Sequence, residues 1–184
     1  MNLRSKELTM CAMFAALIAL GAFIRIDIPM PLYTMHFTLQ LFFVLSAGFI
    51  LGARGGALSV LVYLCLGLIG FPVFAAGGGP AYVLRAGFGF LLGFIPTAYI
   101  AGTSGANLFW KMLGSAVIGL AVDYLAGTLY FYLIMRLYVS ENISLGTIAA
   151  QYCLITVLPD LVLCILASFV SFRLRPQLKA VMGQ

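Results

Sequence analysis

The feature that most constrains this chain is a series of six long apolar stretches separated by short connections. A helix needs roughly 17 to 25 mostly apolar residues to span a membrane. The stretches are Leu8–Ile24, Phe37–Gly52, Gly56–Phe74, Val83–Ala101, Trp110–Leu137 and Leu145–Phe172. Because open strands cannot satisfy their backbone hydrogen bonds in hydrocarbon, all six stretches are predicted to be helices. The second is short and can instead pack inside the bundle.

Composition places these helices in a bilayer rather than in a water-soluble core. Of the 184 residues, 64% are hydrophobic and only 8% are charged, whereas a soluble domain has about a quarter of its residues charged. No linker and no low-complexity tract divides the sequence. Residues 1–184 are therefore predicted to form a single all-α transmembrane domain.

The basic residues predict how the chain is oriented, since lysine and arginine concentrate on the cytoplasmic side of membrane proteins. Basic residues precede the first stretch and follow the sixth, so both termini are predicted to lie in the cytoplasm, which requires an even number of spans. Seven basic residues then lie inside, namely Arg4, Lys6, Arg54, Lys111, Arg173, Arg175 and Lys179. This distribution accounts for the net charge of +5 without a nucleic-acid partner.

On this topology two unusual connections lie on the outer face. The connection from Pro72 to Tyr82 contains three consecutive glycines, Gly77 to Gly79, and the one from Arg25 to Met35 is rich in proline. Glycine lets the backbone approach other groups closely, whereas proline stiffens the chain. One flexible and one stiff loop on the same face can form a lid over a site. Two ordinary connections are the alternative.

Three ionisable side chains, Arg85, Asp123 and Asp160, lie within the predicted spans. Such residues are costly in hydrocarbon and usually functional. Arg85 can bind a carboxylate through its planar donors, or it can extend its guanidinium to the interface. Asp160 follows Pro159, which frees a backbone carbonyl, and can accept N–H donors from a ligand. For both aspartates an internal ion pair, for example with Arg85, is the alternative.

The first predicted span carries overlapping pairs of small residues. Ala12 and Ala16 form one pair and Ala15 and Ala19 another, so methyl groups follow one helix face. Such spacing lets a second helix approach closely. That helix can belong to another protein or to this chain.

Several familiar chemistries are absent from the sequence. The four cysteines lie in apolar runs without a CxxC pair, and His36 has no acidic or histidine neighbour at ligand spacing, so neither a metal site nor a disulfide framework is predicted. No Gly-rich loop ends in Lys-Ser or Lys-Thr, and neither HExxH nor GxSxG occurs. The chain is therefore predicted to need no cofactor, to catalyse no reaction and to hydrolyse no ATP by itself.

Residues 25 to about 102 resemble the BioY family, the substrate-binding S components of energy-coupling factor (ECF) vitamin transporters, best known for biotin. The matching residues are Pro29 and Pro31, Thr38-Leu-Gln40, Ala47-Gly48, Leu51-Gly52, Arg54-x-Gly56-Ala-Leu-Ser59, Tyr63, Gly67, Gly70-Phe-Pro72-Val-Phe74 and the glycine run. The resemblance implies six transmembrane helices in a prokaryotic plasma membrane. It also implies a ligand held near the outer face by the loop after the first span and the loop between the third and fourth.

The same resemblance implies protein partners. These are a transmembrane coupling protein and two ATP-binding-cassette ATPases, which would supply the energy that this chain lacks. In S components the small-residue strip of the first helix docks on the coupling protein. Ala12 and Ala16 match that strip, with Ala15 and Ala19 beside them.

The chain departs from the family pattern where ligand contacts are expected. Members usually read Gly-Pro-Thr-Gly-Gly-Tyr after the glycine loop, whereas this chain has Arg85-Ala-Gly-Phe-Gly-Phe90. In the last span Asp160 matches the family's acid, which is associated with the ring of biotin, but Leu163 occupies the usual lysine position. Arg85 is then the replacement cation for a ligand carboxylate. Asp123 is unusual for the family.

A vitamin with an apolar chain and few polar groups needs an aromatic-lined pocket with sparse hydrogen bonds. The predicted ligand contacts are Gln40, Phe74, Gly78, Tyr82, Arg85, Phe88, Asp123 and Asp160. Biotin is the expected ligand, and lipoate or a related acid is the alternative. A self-contained small channel or carrier, and a membrane enzyme using Asp123 and Asp160 as a carboxylate pair, are the rival functions.

Overall fold

The computed structural model describes residues 5–29, 34–105, 108–139 and 144–182 of a mostly helical chain. The elements are α1 (Ser5–Phe23), β1 (Arg25–Ile28), β2 (Met35–Thr38), α2 (Gln40–Ile69), a 3-10 turn (Pro80–Leu84), α3 (Phe88–Thr103), α4 (Phe109–Ile134), α5 (Leu145–Ile148) and α6 (Leu154–Met182). Two π-helical segments, Met135–Val139 and Ala149–Cys153, extend α4 and join α5 to α6. Arg4 and Pro31, on which part of the sequence analysis rests, lie outside the described residues.

α2 consists of two helical arms, residues 40–51 and 53–69, joined at a sharp reversal. Gly52 separates the arms with φ 78° and ψ 175°, a conformation that favours glycine. Gln40 Nε2 donates to Tyr63 Oη at 2.6 Å, although an unbroken helix would hold these residues on the order of 34 Å apart. The arms therefore fold back on each other. With α1, α3, α4 and α6 they make six long helices in the described part of the chain, as predicted.

The lengths and outer faces of the helices suit a bilayer. Ser5–Phe23, Gln40–Ile69, Phe109–Val139 and Leu154–Arg175 are long and apolar enough to cross a membrane, and Phe88–Thr103 is a shorter apolar helix. Large apolar side chains stand on the outside, among them Leu125 and Leu158, each more than 70% exposed. An apolar exterior of this kind is expected where lipid rather than water surrounds a bundle.

Three predicted span boundaries are wrong. Phe37 and Thr38 belong to β2, so the second span begins later, at Gln40. The third span ends at Ile69 rather than Phe74, because Gly70 has φ 123° and ends the helix. The fourth span begins at Phe88 rather than Val83, because Pro80–Leu84 form a separate 3-10 turn. Each error lies at the end of the bundle that the charge pattern predicts to be outermost.

The proline-rich connection after α1 contains a strand pair rather than a plain loop. β1 and β2 are antiparallel, with Asp27 opposite His36. His36 Nδ1 donates to Asp27 Oδ1 at 2.6 Å, and Arg25 Nε lies 3.3 Å from the same oxygen. The hydrogen bond from His36 lowers the pKa of Asp27, and the charges of His36 and Arg25 act in the same direction. Strand pairing therefore gives His36 an acidic neighbour, Asp27, that ligand spacing in the sequence does not reveal.

Glycines allow the helices to pack closely around a shared core. α3 packs against α2 and α4, while α6 contacts both α2 and α4. Gly48, on the first arm of α2, faces α3 so closely that a Cβ there would lie 2.3 Å from the carbonyl oxygen of Ala98. Backbone atoms cannot move aside as a flexible side chain can. The contact between α2 and α3 therefore depends on glycine at this position.

We expect Gly48→Ala to lower the free energy of unfolding by about 1–3 kcal/mol, the usual cost of overpacking. Thermal unfolding in detergent would measure the loss as a lower melting temperature. Gly114→Ala on α4 is the matched control, because apart from the backbone of its own helix nothing lies within 4 Å of the added Cβ. Alanine is also the better helix former, so this control should match or exceed the wild-type stability. Equal melting temperatures for Gly48→Ala and the wild type would contradict the packing argument.

Candidate functional site

A cavity of about 110 Å³ lies between the helices at the end of the bundle that carries β1 and β2. It is lined by β2, by helices α2, α3, α4 and α6, and by residues of the connection between α2 and α3. The lining residues are Met35, His36, Phe37, Thr38, Gln40, Leu41, Ala75, Tyr82, Gly87, Phe90, Leu91, Phe94, Asp123, Tyr124, Phe131, Thr156 and Asp160. The site is thus mostly apolar and aromatic, with a few polar groups, as small-molecule sites usually are.

Asp160 of α6 is held by two hydroxyl groups. Tyr124 Oη donates to Asp160 Oδ2 at 2.5 Å, and Tyr124 Oη lies 2.9 Å from Thr156 Oγ1. Thr156 also hydrogen-bonds Asp160, which follows it by one helical turn. Asp160 is 8% exposed. Its orientation is therefore fixed by α4 and α6 together, and it presents a buried acceptor to the cavity.

Gln40 is held in a similar way at the start of α2. Its Oε1 accepts from Thr38 Oγ1 at 3.1 Å, and its Nε2 donates to Tyr63 Oη on the second arm. Tyr63 in turn donates to the Val73 carbonyl at 3.4 Å. An amide carries two donors and an acceptor with two lone pairs. Gln40 therefore keeps hydrogen-bonding capacity for a ligand after these contacts are made.

Asp123 of α4 also lines the cavity but, unlike Asp160, makes no hydrogen bond to a described residue. The side chain is 4% exposed, and its Oδ1 is a buried oxygen without a partner. Gly93 of α3 lies directly opposite, because a Cβ there would come within 2.3 Å of that oxygen. Neither aspartate pairs with Arg85, so the internal ion pair considered from the sequence is not formed among the described residues.

Tyr82 and Arg85 stand at the edge of the cavity. The Tyr82 ring lines it, while the Arg85 side chain is exposed and places its Cζ 5.1 Å from the centre of that ring. Burial raises the pKa of the Tyr82 phenol. Arg85 is therefore a cation at the rim, held by a cation–π contact, and it does not enter the cavity.

Three other predicted contacts lie behind the cavity wall rather than on it. Phe74 is 1% exposed and packs on Tyr82 with ring centres 4.5 Å apart, and Phe88 lies 6.3 Å from the same ring. Gly78 lies in the glycine-rich connection, against the Phe71 carbonyl, where a Cβ would come within 2.1 Å of the oxygen. These residues position Tyr82 and the connection, so any contact with a ligand remains a prediction.

The sequence analysis missed the residues of β2 that face the cavity, together with Tyr124 and Thr156. Thr156 precedes Asp160 by four residues, so helical periodicity alone places the two on one face. That signal was available. Tyr124 is adjacent to Asp123 in sequence, and its contact with Asp160 depends on how α4 packs against α6. Within the described residues, no three His, Cys, Asp or Glu side chains gather to hold a metal ion.

The small-residue strip of α1 is divided between two faces. Ala12 and Ala16 are exposed, whereas Ala15 is 2% exposed and belongs to the core of this chain, with Ala19 packed against that core. Ala15 and Ala19 therefore contact the chain's own helices, and the predicted docking face is narrowed to Ala12 and Ala16. For those two residues docking remains a prediction.

Comparison with known proteins gives a consistent result. The family model described as the BioY family matches residues 1–180. A protein of Lysinibacillus sphaericus named probable biotin transporter BioY is 38% identical over 161 residues, 80% of each chain. A protein of Thermotoga maritima named biotin transporter BioY is 34% identical over 176 residues, 92% of this chain and 96% of its own.

The fold matches a solved structure over nearly the whole chain. A crystal structure described as the S-component for biotin from an ECF-type ABC transporter superposes with a TM-score of 0.82, covering 95% of both chains at 24% sequence identity. That likeness confirms the S-component fold predicted from the sequence. Given the family match over residues 1–180 and relatives more than 30% identical across most of its length, this chain belongs to the BioY family, whose members are multi-pass proteins of the cell membrane that act in transport rather than in catalysis.

Proposed function

We propose that this chain is the substrate-binding S component of an ECF-type importer and that it binds biotin from the outer side of the membrane. The observation that carries the proposal is the cavity, in which buried acceptors from α2, α4 and α6 face an aromatic wall. Relatives named biotin transporter BioY support the choice of ligand. The positive-inside distribution of basic residues supports cytoplasmic termini and an outward-facing cavity.

In this proposal the two ends of biotin meet different parts of the site. The cyclic urea has two N–H donors and a carbonyl acceptor, and Asp160 and Gln40 provide buried partners for them. The ring and the apolar chain contact aromatic side chains such as Tyr82 and Phe90. The carboxylate points outward to Arg85 at the rim, where the guanidinium can form a charge-assisted hydrogen bond.

Lipoate is the competing ligand of similar shape. Its dithiolane ring has no N–H donor, so the buried carboxyl groups would gain no partner from it. Each hydrogen bond from a biotin ring N–H to a buried acceptor would add roughly 0.5–1.5 kcal/mol of binding free energy that lipoate cannot supply. The acidic cavity therefore favours a ring that donates hydrogen bonds.

Titration calorimetry of the purified chain with biotin and lipoate tests the choice of ligand. We expect biotin to bind at least tenfold more tightly, because only its ring donates to the buried acceptors. If the folded chain gives no heat of binding on addition of biotin, the proposed function is contradicted. Tighter binding of lipoate would contradict the choice of ligand but leave an S component for another acid.

Arg85→Ala tests the contact with the ligand carboxylate. We expect binding of biotin to weaken roughly tenfold or more, whereas binding of biotin amide should change little, because the lost interaction needs the negative charge. Arg136→Ala is a matched control. Arg136 is also exposed and stacked on a tyrosine, with Cζ 5.7 Å from the Tyr132 ring, but that tyrosine, unlike Tyr82, does not line the cavity. Equal losses for the acid and the amide would exclude the carboxylate role of Arg85.

We also propose that the energy for uptake comes from a transmembrane coupling protein and two ATP-binding-cassette ATPases. The sequence carries no phosphate-binding loop, and membership of the BioY family supports an external energy source. Ala12 and Ala16 are exposed on α1, and their small side chains allow a helix of the coupling protein to pack closely against it.

Ala16→Trp should abolish co-purification with the coupling protein and ATPases while leaving the affinity for biotin unchanged. Leu125→Trp is the matched control, since Leu125 is 71% exposed on α4, away from the strip. Assembly retained by Ala16→Trp would exclude this docking face. Uptake of biotin into liposomes by the chain alone would instead favour a self-contained carrier.

A further inference from the structure

The two carboxyl groups of the cavity differ in one respect that the S-component assignment does not explain. Asp160 receives hydrogen bonds from Tyr124 and Thr156. Asp123 receives none from any described residue, and its buried Oδ1 is without a partner. An unpaired polar oxygen at membrane depth is unfavourable by an amount comparable to a lost hydrogen bond. A side chain of this kind is expected to have a partner in the functional state.

The packing around Asp123 preserves the carboxyl group rather than filling its place. Gly93 lies opposite, and any larger side chain there would displace the oxygen, since a Cβ would come within 2.3 Å of it. No lysine or arginine lines the cavity among the described residues, and His36, which does line it, donates to Asp27 instead. Because Asp123 lines the cavity, a molecule that enters the cavity can supply the missing donor.

We infer that Asp123 accepts a hydrogen bond from a second N–H donor of the ligand ring, so that the site selects rings with two N–H groups. The inference rests on the proposed function and assigns Asp123 a role in specificity. A flat cyclic urea carries its two N–H groups on different edges, and two acceptors on different helices suit that arrangement. Asp160 on α6 takes one N–H and Asp123 on α4 takes the other.

The test compares biotin with two analogues, each methylated on one of the two urea nitrogens. Wild-type chain should bind each analogue more weakly than biotin, because each has lost one donor. Asp123→Leu should bind biotin roughly ten- to a hundredfold more weakly, the effect expected when a buried N–H of the ligand loses its acceptor. For this variant, methylation of one nitrogen should cause no further loss, whereas methylation of the other should remain harmful. A purely structural role would not produce that asymmetry.

Controls separate folding from recognition. Ser115→Ala alters another buried polar residue of α4 that does not line the cavity, and it should bind all three ligands as the wild type does. Asp123→Asn keeps the size of the side chain and one acceptor oxygen, so it decides the matter if Asp123→Leu does not fold. It should bind biotin more weakly than the wild type does. Methylation of the nitrogen that faces residue 123 should then cause a smaller loss of affinity than it causes in the wild type.

Two results would overturn the inference while leaving the proposed function in place. One is that Asp123→Leu binds biotin as tightly as the wild type does. If Asp123→Leu does not fold, the equivalent result is that folded Asp123→Asn binds biotin with wild-type affinity and loses as much affinity on methylation of either nitrogen as the wild type does. The other is an equal loss for biotin and both methylated analogues. If wild-type chain binds no biotin at all, the proposed function and the inference fail together.

Discussion

The structure depends on how a chain keeps carboxyl groups inside a bilayer. A charged or polar group in hydrocarbon is expensive unless other groups hydrogen-bond it. Asp160 meets this constraint through Tyr124 and Thr156, and Gln40 meets it through Thr38 and Tyr63. These contacts join β2 and four helical segments around one cavity. The polar groups therefore determine where the apolar helices leave a space.

Helix packing makes that arrangement possible. The reversal at Gly52 turns α2 into two arms, which brings Gln40 and Tyr63 together although they are 23 positions apart in the sequence. Close contacts at Gly48 and Gly93 then let α3 lie tightly between α2 and α4. The cavity of about 110 Å³ is small beside the roughly 300–1,000 Å³ usual for ligand sites. A biotin-sized ligand would therefore require side chains or the surrounding connections to shift outward.

Much of the fold could be predicted from the sequence, because apolar length and the need for backbone hydrogen bonds leave few choices in a membrane. The number of helices, the break near Gly52 and the position of Asp160 within a span follow from those rules, whereas Gln40 was identified with the help of the resemblance to the BioY family. Two contacts could not be predicted in this way, namely the strand pair at Asp27 and His36 and the hydrogen bond between Tyr124 and Asp160. Both depend on segments that are separated in the sequence and meet only in the folded chain. Arg85 was predicted within the fourth span, but that helix begins only at Phe88. The 3-10 turn at Pro80–Leu84 leaves Arg85 outside the helix, at the rim of the cavity.

The central claim is that a ligand ring binds between Asp160 and Gln40 while its acid points to Arg85. A crystal structure of the chain with bound biotin tests this most directly. We predict the urea ring within hydrogen-bond distance of Asp160 and the carboxylate facing the Arg85 guanidinium. Biotin bound outside this cavity, or bound inside it with the urea ring at the rim and the carboxylate beside the aspartates, would contradict the account.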